Sequence, residues 1–436
     1  MPRSASANLF TAKVIVMIAK ESERAAQAGV QVSKPNSAVA PATPSGESSR
    51  RVPGRLRVLH FFSYLRLGGT ELTALRVITN LEKDRFENRI CGMRGFDPEV
   101  FALRYPDADV VSLPAHKEGF RIQILSIMKL IKAYRPHIVH SRNWGTIESV
   151  LAARLAHVPV VIHSEHGYEM DTLAGLPRRR RLFRRAAYGM ADAVFTVTGE
   201  LQRYHSRQAW ISPSRIRVIH NGIDTQLFAP HPQARRLILE KAGVPTDRFV
   251  VGSVGRLVAI KDHATLLKSA ELLAQRGVNV HVLLVGSGPE MTRHRQYLEH
   301  SVALAGRVTF LGSRDDVSEI LNGMDVFVLP SISEGMSNTL IEAMSCGLPV
   351  IATRVGGNPE VVGDDGSGGV FTPGDINGLA QHLERLAGNV DLGRNLGTAA
   401  RQRAVSMFSL ERMVKDYRQL YLELAARRGI IARSSV

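Results

Sequence analysis

Two carboxylates in the spacing E-x7-E, Glu334 and Glu342, bracket Ser337, Asn338 and Thr339 in the run SEGMSNTLIEAM. Ser337 is a helix cap by type. The amides of Asn338 and Thr339 would then stand unpaired at the first turn, where aligned peptide dipoles favour an anion such as a phosphate. Two acids aimed at that anion would repel it, so they must reach hydroxyl-bearing groups on either side. A sugar and a ribose flanking a diphosphate present such groups. Upstream, Arg256 and Lys261 in VGRLVAIKD are cations that can converge on the same place and neutralise a diphosphate without a divalent ion. Taken alone, an E-x7-E pair says less: one acid satisfying the positive end of a helix and one solvated in a loop would look the same.

The elements that must hold these residues are legible around them. DVFVLP, a short polar loop, a compact helical segment and PVIAT form a βαβ unit over Asp325–Thr353, with Cys346, Gly347 and Pro349 ending the helix. From Arg57 onward short apolar runs alternate with helical periodicity, the pattern of a parallel α/β sheet. The first run, RVLHFF, leads through SYLRLGGTE into a helix, and Gly68 and Gly69 let the backbone there turn sharply and approach a ligand. VHVLLVGSGPE places Gly286 and Gly288 in a strand-to-helix loop. Met291 occupies the third glycine position of a dinucleotide fingerprint, so a loop near a nucleotide is expected rather than an NAD site. Asp315 and Asp316 read as capping acids.

His137/His140 and His163/His166 repeat a spacing of three. Residues three apart on a strand face opposite sides and no third ligand cluster accompanies them, so no metal site is expected. His166 sits where its strand opens into EHGYEMD, the end at which such sheets bind ligands.

SEGMSNTLIEAMSCGLPVIAT, with GRLVAIKD upstream and IHNGID before that, closely resembles the nucleotide-sugar site of family 4 retaining glycosyltransferases, and the likeness runs in order from about Arg57 to the final helix. The resemblance implies a glycosyltransferase B fold: two facing Rossmann-like doubly wound α/β domains with the active site in the cleft between them. It implies that Glu334 holds donor-sugar hydroxyls and Glu342 the ribose, and that His166 lies beside the donor sugar and the acceptor hydroxyl. The Gly68-Gly69 loop then faces the diphosphate, with Glu71 and Asn143 on the acceptor side. Neither a metal nor another cofactor is implied. The motifs LGGTE, HSRNWG and SEHG look most like those of bacterial enzymes building exopolysaccharide or lipopolysaccharide, which implies a UDP- or GDP-type donor and a lipid-linked saccharide acceptor.

The expected domains are a disordered tail over 1–54, an acceptor-side domain over 55–228, a nucleotide-sugar domain over 229–408 and a final helix over 409–436 crossing back to the first domain. The 436 residues are 44% apolar, enough for two packed cores. Fifty-six basic residues against 40 acidic ones give a net charge of +16, which points to anionic partners. The helix-like PRRRRLFRRAAYGM, with Arg178, Arg179, Arg180, Arg181, Arg184 and Arg185, would surround a segment with guanidiniums and suit an anionic membrane surface. Two cysteines suit a reducing cytoplasm, and no apolar stretch approaches a bilayer span. VIVMIA near the start is interrupted by Lys13 upstream and lacks a small-residue cleavage site, so no secretory signal is expected. Charge alone would also fit a nucleic-acid-binding protein, but no recognised motif or aromatic platform accompanies it. A dinucleotide-dependent oxidoreductase is disfavoured by the incomplete glycine fingerprint. A non-transferring sugar-nucleotide epimerase is disfavoured by the Arg256/Lys261 and Glu334/Glu342 combination.

Overall fold

In the computed structural model, residues 54–433 are described apart from 66–67, 114–119, 170–175 and 365, so the expected disordered tail lies outside the described residues. Strands β1 (Leu56–Phe62), β2 (Phe86–Gly92), β3 (Asp109–Ser112), β4 (Ile138–Arg142), β5 (Val160–Glu165), β6 (Ala193–Thr196) and β7 (Ile216–Val218) form one sheet in the order β3-β2-β1-β4-β5-β6-β7. A second sheet joins β8 (Phe249–Val254), β9 (Val280–Val285), β10 (Val308–Gly312), β11 (Val326–Leu329), β12 (Val350–Thr353) and β13 (Gly368–Phe371) in the order β10-β9-β8-β11-β12-β13. All these pairings are parallel.

Parallel strands need crossover helices, and those helices cover both faces, so the central strands are apolar along nearly their whole length. VHVLLV of β9 and VFVL of β11 are buried at every position. In β4 (IVHSR) and β5 (VVIHSE) burial is equally complete, but the carboxyl-terminal half is polar. Each sheet reverses its winding once, between β1 and β4 and between β8 and β11. Such a switch point leaves a crevice outside the strands' carboxyl ends.

The Leu410–Arg427 helix is capped by Ser409, whose side chain accepts from the Arg412 amide at 3.3 Å. Its stripe of Met413, Tyr417, Leu420, Tyr421 and Leu424 is buried against Val58, Ile138, Val160, Ile162 and Phe195 of the first sheet. The crossing is pinned where the Ile223 amide donates to the Phe408 carbonyl at 2.9 Å and the Leu410 amide donates to the Ile223 carbonyl at 2.8 Å. Among the described residues no helix is long and apolar enough to cross a membrane.

Candidate active site

The Asn338–Ser345 helix starts at the carboxyl end of β11. Ser337 caps it by accepting from the Leu340 amide at 3.4 Å, while the amides of Asn338 and Thr339 meet no acceptor among the described residues. That leaves a positive helix end open to an anion. The Asn338 side chain is committed elsewhere: it accepts from Asn221 Nδ2 at 3.0 Å and donates to Thr73 Oγ1 of the opposite domain at 3.0 Å, close to the Gly69 carbonyl at 3.5 Å. The sequence-predicted pair Gly69 and Asn338 thus does meet across the cleft, through Thr73.

Glu334 precedes this helix. One of its carboxylate oxygens accepts from Lys261 Nζ at 2.5 Å and from Ser331 Oγ at 2.6 Å. Lys261 therefore already has a counter-charge, and Arg256 is the exposed cation, without an ion pair among the described residues. The Glu334 loop is pressed onto the first domain. A Cβ on Gly335 would lie 2.5 Å from the His166 carbonyl, and one on Gly356 only 1.7 Å from the Glu334 carbonyl. No side chain fits at either position without driving Glu334 away from His166.

Glu342 is 7% exposed and paired with Arg76 of the first domain at 3.1 Å. Burial raises its pKa, and Arg76 offsets part of that rise. Arg76 was not visible as a site residue in the sequence, because nothing near position 76 signals a partner 266 residues away.

On the first-domain side, Glu71 and Asn143 are both engaged with nearby backbone groups. Glu71 folds back on the amides of its own residue and of Gly68, while burial raises its carboxyl pKa against those bonds. The amino end of the Gly69–Asn80 helix is therefore occupied by Glu71, and a diphosphate would have to displace it to reach Gly68. Asn143 turns its side-chain oxygen to the backbone of His166. Its Oδ1 accepts from the His166 amide at 2.8 Å, and its own amide donates to the Ser164 carbonyl at 2.7 Å, with a left-handed φ of 58°. Its work is to fix the backbone of His166.

His166 has Nε2 2.9 Å from Ser164 Oγ, while Nδ1 is buried with no partner among the described residues. Burial, then the nearby Arg142 charge, lowers its pKa to about 3, so the ring is neutral at pH 7. An orphaned buried donor or acceptor costs about 1–3 kcal/mol, so Nδ1 is a candidate contact for a ligand. Glu148, at the start of its helix beyond Trp144, was also missed. Burial raises its pKa to about 7 despite bonds to its own amide and the charge of Arg94.

Gly286 and Gly288 allow a close approach of backbone to backbone. A Cβ at Gly286 (φ +130°) would meet the Gly255 carbonyl at 1.9 Å, and one at Gly288 the Leu257 carbonyl at 2.2 Å. They pack the β9 loop onto the segment that carries Arg256. Asp315 and Asp316 do not cap by side chain; they pair with Arg104 of the first domain and with Arg314, each at 2.5 Å.

The arginine run is also less available than its composition suggests. On the Arg178–Met190 helix, Arg184 is wholly buried against Glu169 and Glu165. Arg180 pairs with Glu169 at 2.6 Å and stacks 4.3 Å from the Trp144 ring. Arg181 and Arg185 donate to the carbonyls of Arg207 and Trp210, both at 2.6 Å. Arg178, Arg179 and Arg185 remain exposed, so a membrane surface could meet those three but not Arg184.

Two doubly wound sheets facing across a cleft at their switch points, with an open helix end on one side, define the glycosyltransferase B class. Residues 67–227 match the family model Glycosyltransferase Family 4, and residues 248–389 match Glycosyl transferases group 1. EpsF of Bacillus subtilis (strain 168), a glycosyltransferase by name, is 30% identical over 304 residues, spanning 68% of this chain and 78% of its own. The Escherichia coli UDP-Gal:alpha-D-GlcNAc-diphosphoundecaprenol alpha-1,3-galactosyltransferase is 27% identical over 387 residues, spanning 85% of this chain and 97% of its own. Among solved structures, a glycosyltransferase from Rickettsia africae ESF-5 superposes with a TM-score of 0.73 at 21% identity, covering 85% of this chain and 98% of that one. Anabaena HepE, in complex with UDP, gives 0.71 at 20%, covering 84% and 99%. The chain belongs to the family 4 glycosyltransferases and resembles their exopolysaccharide and lipopolysaccharide members.

Proposed function

We propose that this enzyme transfers a hexosyl residue from a UDP- or GDP-type sugar to a hydroxyl of a lipid-linked saccharide, with the anomeric configuration retained. The observation that carries the reading is the open amino end of the Asn338–Ser345 helix, with the Lys261–Glu334 pair beside it and His166 across the cleft. On this reading the diphosphate binds at the Asn338 and Thr339 amides. Lys261 then shares its charge between Glu334 and the phosphate, and Arg256, free at the surface, folds in to neutralise the leaving group as it departs. Glu334, partly relieved of Lys261, holds the donor-sugar hydroxyls. Glu342, ionised and aimed by Arg76, takes the ribose. The departing phosphate oxygen accepts the acceptor's proton on the face where the new bond forms, so protein groups have positioning and electrostatic work only.

No metal has a role in this scheme, because the cations and the helix end supply the neutralisation. Exposed Arg178, Arg179 and Arg185 would meet an anionic membrane surface on the cytoplasmic side, where a lipid-linked acceptor is presented. The E. coli relative, whose name specifies a UDP-sugar and a diphosphoundecaprenol acceptor, supports this choice of substrates.

A thermal-shift panel of nucleoside diphosphates, followed by their sugars, identifies the donor. Glu334→Ala should lower kcat by a factor on the order of 100 while nucleoside diphosphate binding is largely kept. Equal loss of nucleotide binding, or loss of turnover on adding a chelator, would overturn the assignment.

A further inference from the structure

The histidine at the cleft is the end of a buried hydrogen-bonded chain, and the other end is a residue that can only donate. Arg142, 1% exposed at the carboxyl end of β4, places Nη2 3.1 Å from Nδ1 of His140 and 3.1 Å from Nδ1 of His60. A guanidinium carries donors and no acceptor, so both Nδ1 atoms must offer lone pairs to it. A neutral imidazole with its lone pair on Nδ1 has its proton on Nε2. For His60 this orientation is self-consistent, since Nε2 lies 3.0 Å from Asn88 Oδ1, an acceptor.

For His140 the same logic makes Nε2–H the donor to Ser164 Oγ at 3.0 Å. Ser164 has then accepted one bond and has one hydrogen to give. The nearer target is His166 Nε2 at 2.9 Å, against 3.5 Å to the Ser141 carbonyl. His166 Nε2 therefore accepts, and its proton must sit on Nδ1, the buried atom with no partner. The rings stay neutral in this arrangement: burial and then Arg142 hold His60 and His140 well below the ordinary imidazole value, and His166 lies at about 3. Tyr421 of the crossing helix closes the base of the chain: its hydroxyl, 2.8 Å from His140 Nδ1, donates to the same lone pair that Arg142 faces.

We propose that Arg142 sets the tautomer of His166 through His140 and Ser164, leaving Nδ1–H as a hydrogen-bond donor for a substrate oxygen and no free lone pair for a general base. Arg142, His140 and Ser164 are positioning residues; only His166 would touch substrate. The catalytic consequence rests on the proposed sugar transfer, whereas the tautomer itself does not.

Long-range proton–nitrogen spectra of the protein labelled with nitrogen-15 histidine test the relay, with the His166 ring assigned by its disappearance in His166→Gln. The expected pattern is a protonated, pyrrole-like Nδ1 and a pyridine-like Nε2. Ser164→Ala should convert His166 to a mixture containing the Nε2–H form, and Ser164→Thr should keep the wild-type pattern. In the same variants kcat should fall about 10-fold for Ser164→Ala with donor KM changed less than about 2-fold, and recover in part for Ser164→Thr. A wild-type His166 protonated on Nε2, or an unchanged His166 spectrum in Ser164→Ala, overturns the relay. Once the ring is assigned with His166→Gln, the wild-type spectrum needs no turnover, so it decides the relay even if no sugar is transferred. A shifted tautomer with an unchanged rate supports the relay and removes His166 from the proposed reaction.

Discussion

Two arginines are buried almost completely in the first domain, on opposite faces of the same sheet, and they are compensated in opposite ways. Arg184 meets carboxylates: Glu169 directly and Glu165 at 3.7 Å, with Glu165 also accepting from Tyr188 Oη at 2.8 Å. Arg142 has no carboxylate within ion-pair distance among the described residues; its nearest polar partners are neutral imidazoles and the Tyr421 hydroxyl, and its Nε and Nη1 have no hydrogen-bond partner. Alternation along parallel strands creates the division. Ser141, His163 and Glu165 point to the Arg184 side, and His140, Arg142 and Ser164 point to the side of the crossing helix. A buried cation with a counter-charge is a fastening whose loss strands the partner. A buried cation without a paired carboxylate, here attracted only at longer range by Glu71, is costly to keep, and on the proposed relay it orients donors toward the cleft.

Arg184→Met should break the fastening. It takes the guanidinium from Glu165 and leaves Glu169 with Arg180 alone, a partial loss of compensation that should cost about 3 kcal/mol, read as a lowered urea midpoint at unchanged slope. The protein that remains folded should turn over at a rate near that of wild type. Arg142→Met strands no paired carboxylate but removes a buried charge and orphans His60 Nδ1, so its stability should fall by less than about 2 kcal/mol while kcat falls about 10-fold. The comparison fails if the two variants lose stability and turnover in the same proportion.

Glu148 sharpens the contrast because a carboxyl, unlike a guanidinium, can shed its charge. Its Oε2 is buried without a partner and its pKa rises from 4.5 to about 7, with burial the dominant cause. The unfolded chain releases this proton near pH 4.5 and the folded one near 7, so Glu148 contributes stability that is fully present below 4.5 and lost as the pH rises through 7. Allowing for its partial exposure, the loss is on the order of 2 kcal/mol. Glu148→Gln should flatten that part of the stability profile, measured by denaturant unfolding at several pH values between 4.5 and 7.5. An identical slope in the variant would mean that the carboxyl is ionised throughout.

The division between the two arginines also separates what could be read from the sequence from what could not. Near-continuous apolar runs such as VHVLLV and VFVL announce strands covered on both faces, and the cap at Ser337 is a local signal, so the two-sheet fold and the open helix end are written in short stretches. Lys261 and Glu334 could be singled out for the same reason, each within its own motif, and the fold brings them together. The arginine run misled because composition was read without its helical phase: Arg180 and Arg184 are one turn apart on the face that also carries Phe183 and Ala187, and Trp144 receives both guanidiniums. Glu71 and Asn143 looked free because no local pattern tells whether a polar side chain will bond to its own backbone neighbours. Arg142 stood in a motif already singled out, HSRNWG, yet its importance depends on His60, Ser164 and Tyr421 from three other parts of the chain.

Contacts between domains were the least legible of all, and Arg76–Glu342 gives the smallest and most discriminating prediction. The pair is partly buried, with side chains 24% and 9% exposed. If Arg76 merely filled the place of the ribose, Arg76→Ala would remove a competitor and tighten nucleoside diphosphate binding. The geometry favours the other sign. Arg76 touches one carboxylate oxygen, Oε1, and burial already raises the Glu342 pKa, so the arginine keeps the acid charged and aimed while Oε2 remains for the ligand. Arg76→Ala should therefore weaken nucleoside diphosphate binding by about 2–5-fold, the worth of a partly exposed ion pair at about 0.5–1 kcal/mol, with kcat at saturating donor little changed. Calorimetric titration of both proteins with the same nucleoside diphosphate reads the sign directly. Tighter binding in the variant would make the pair a latch on the empty cleft rather than a support for its ligand.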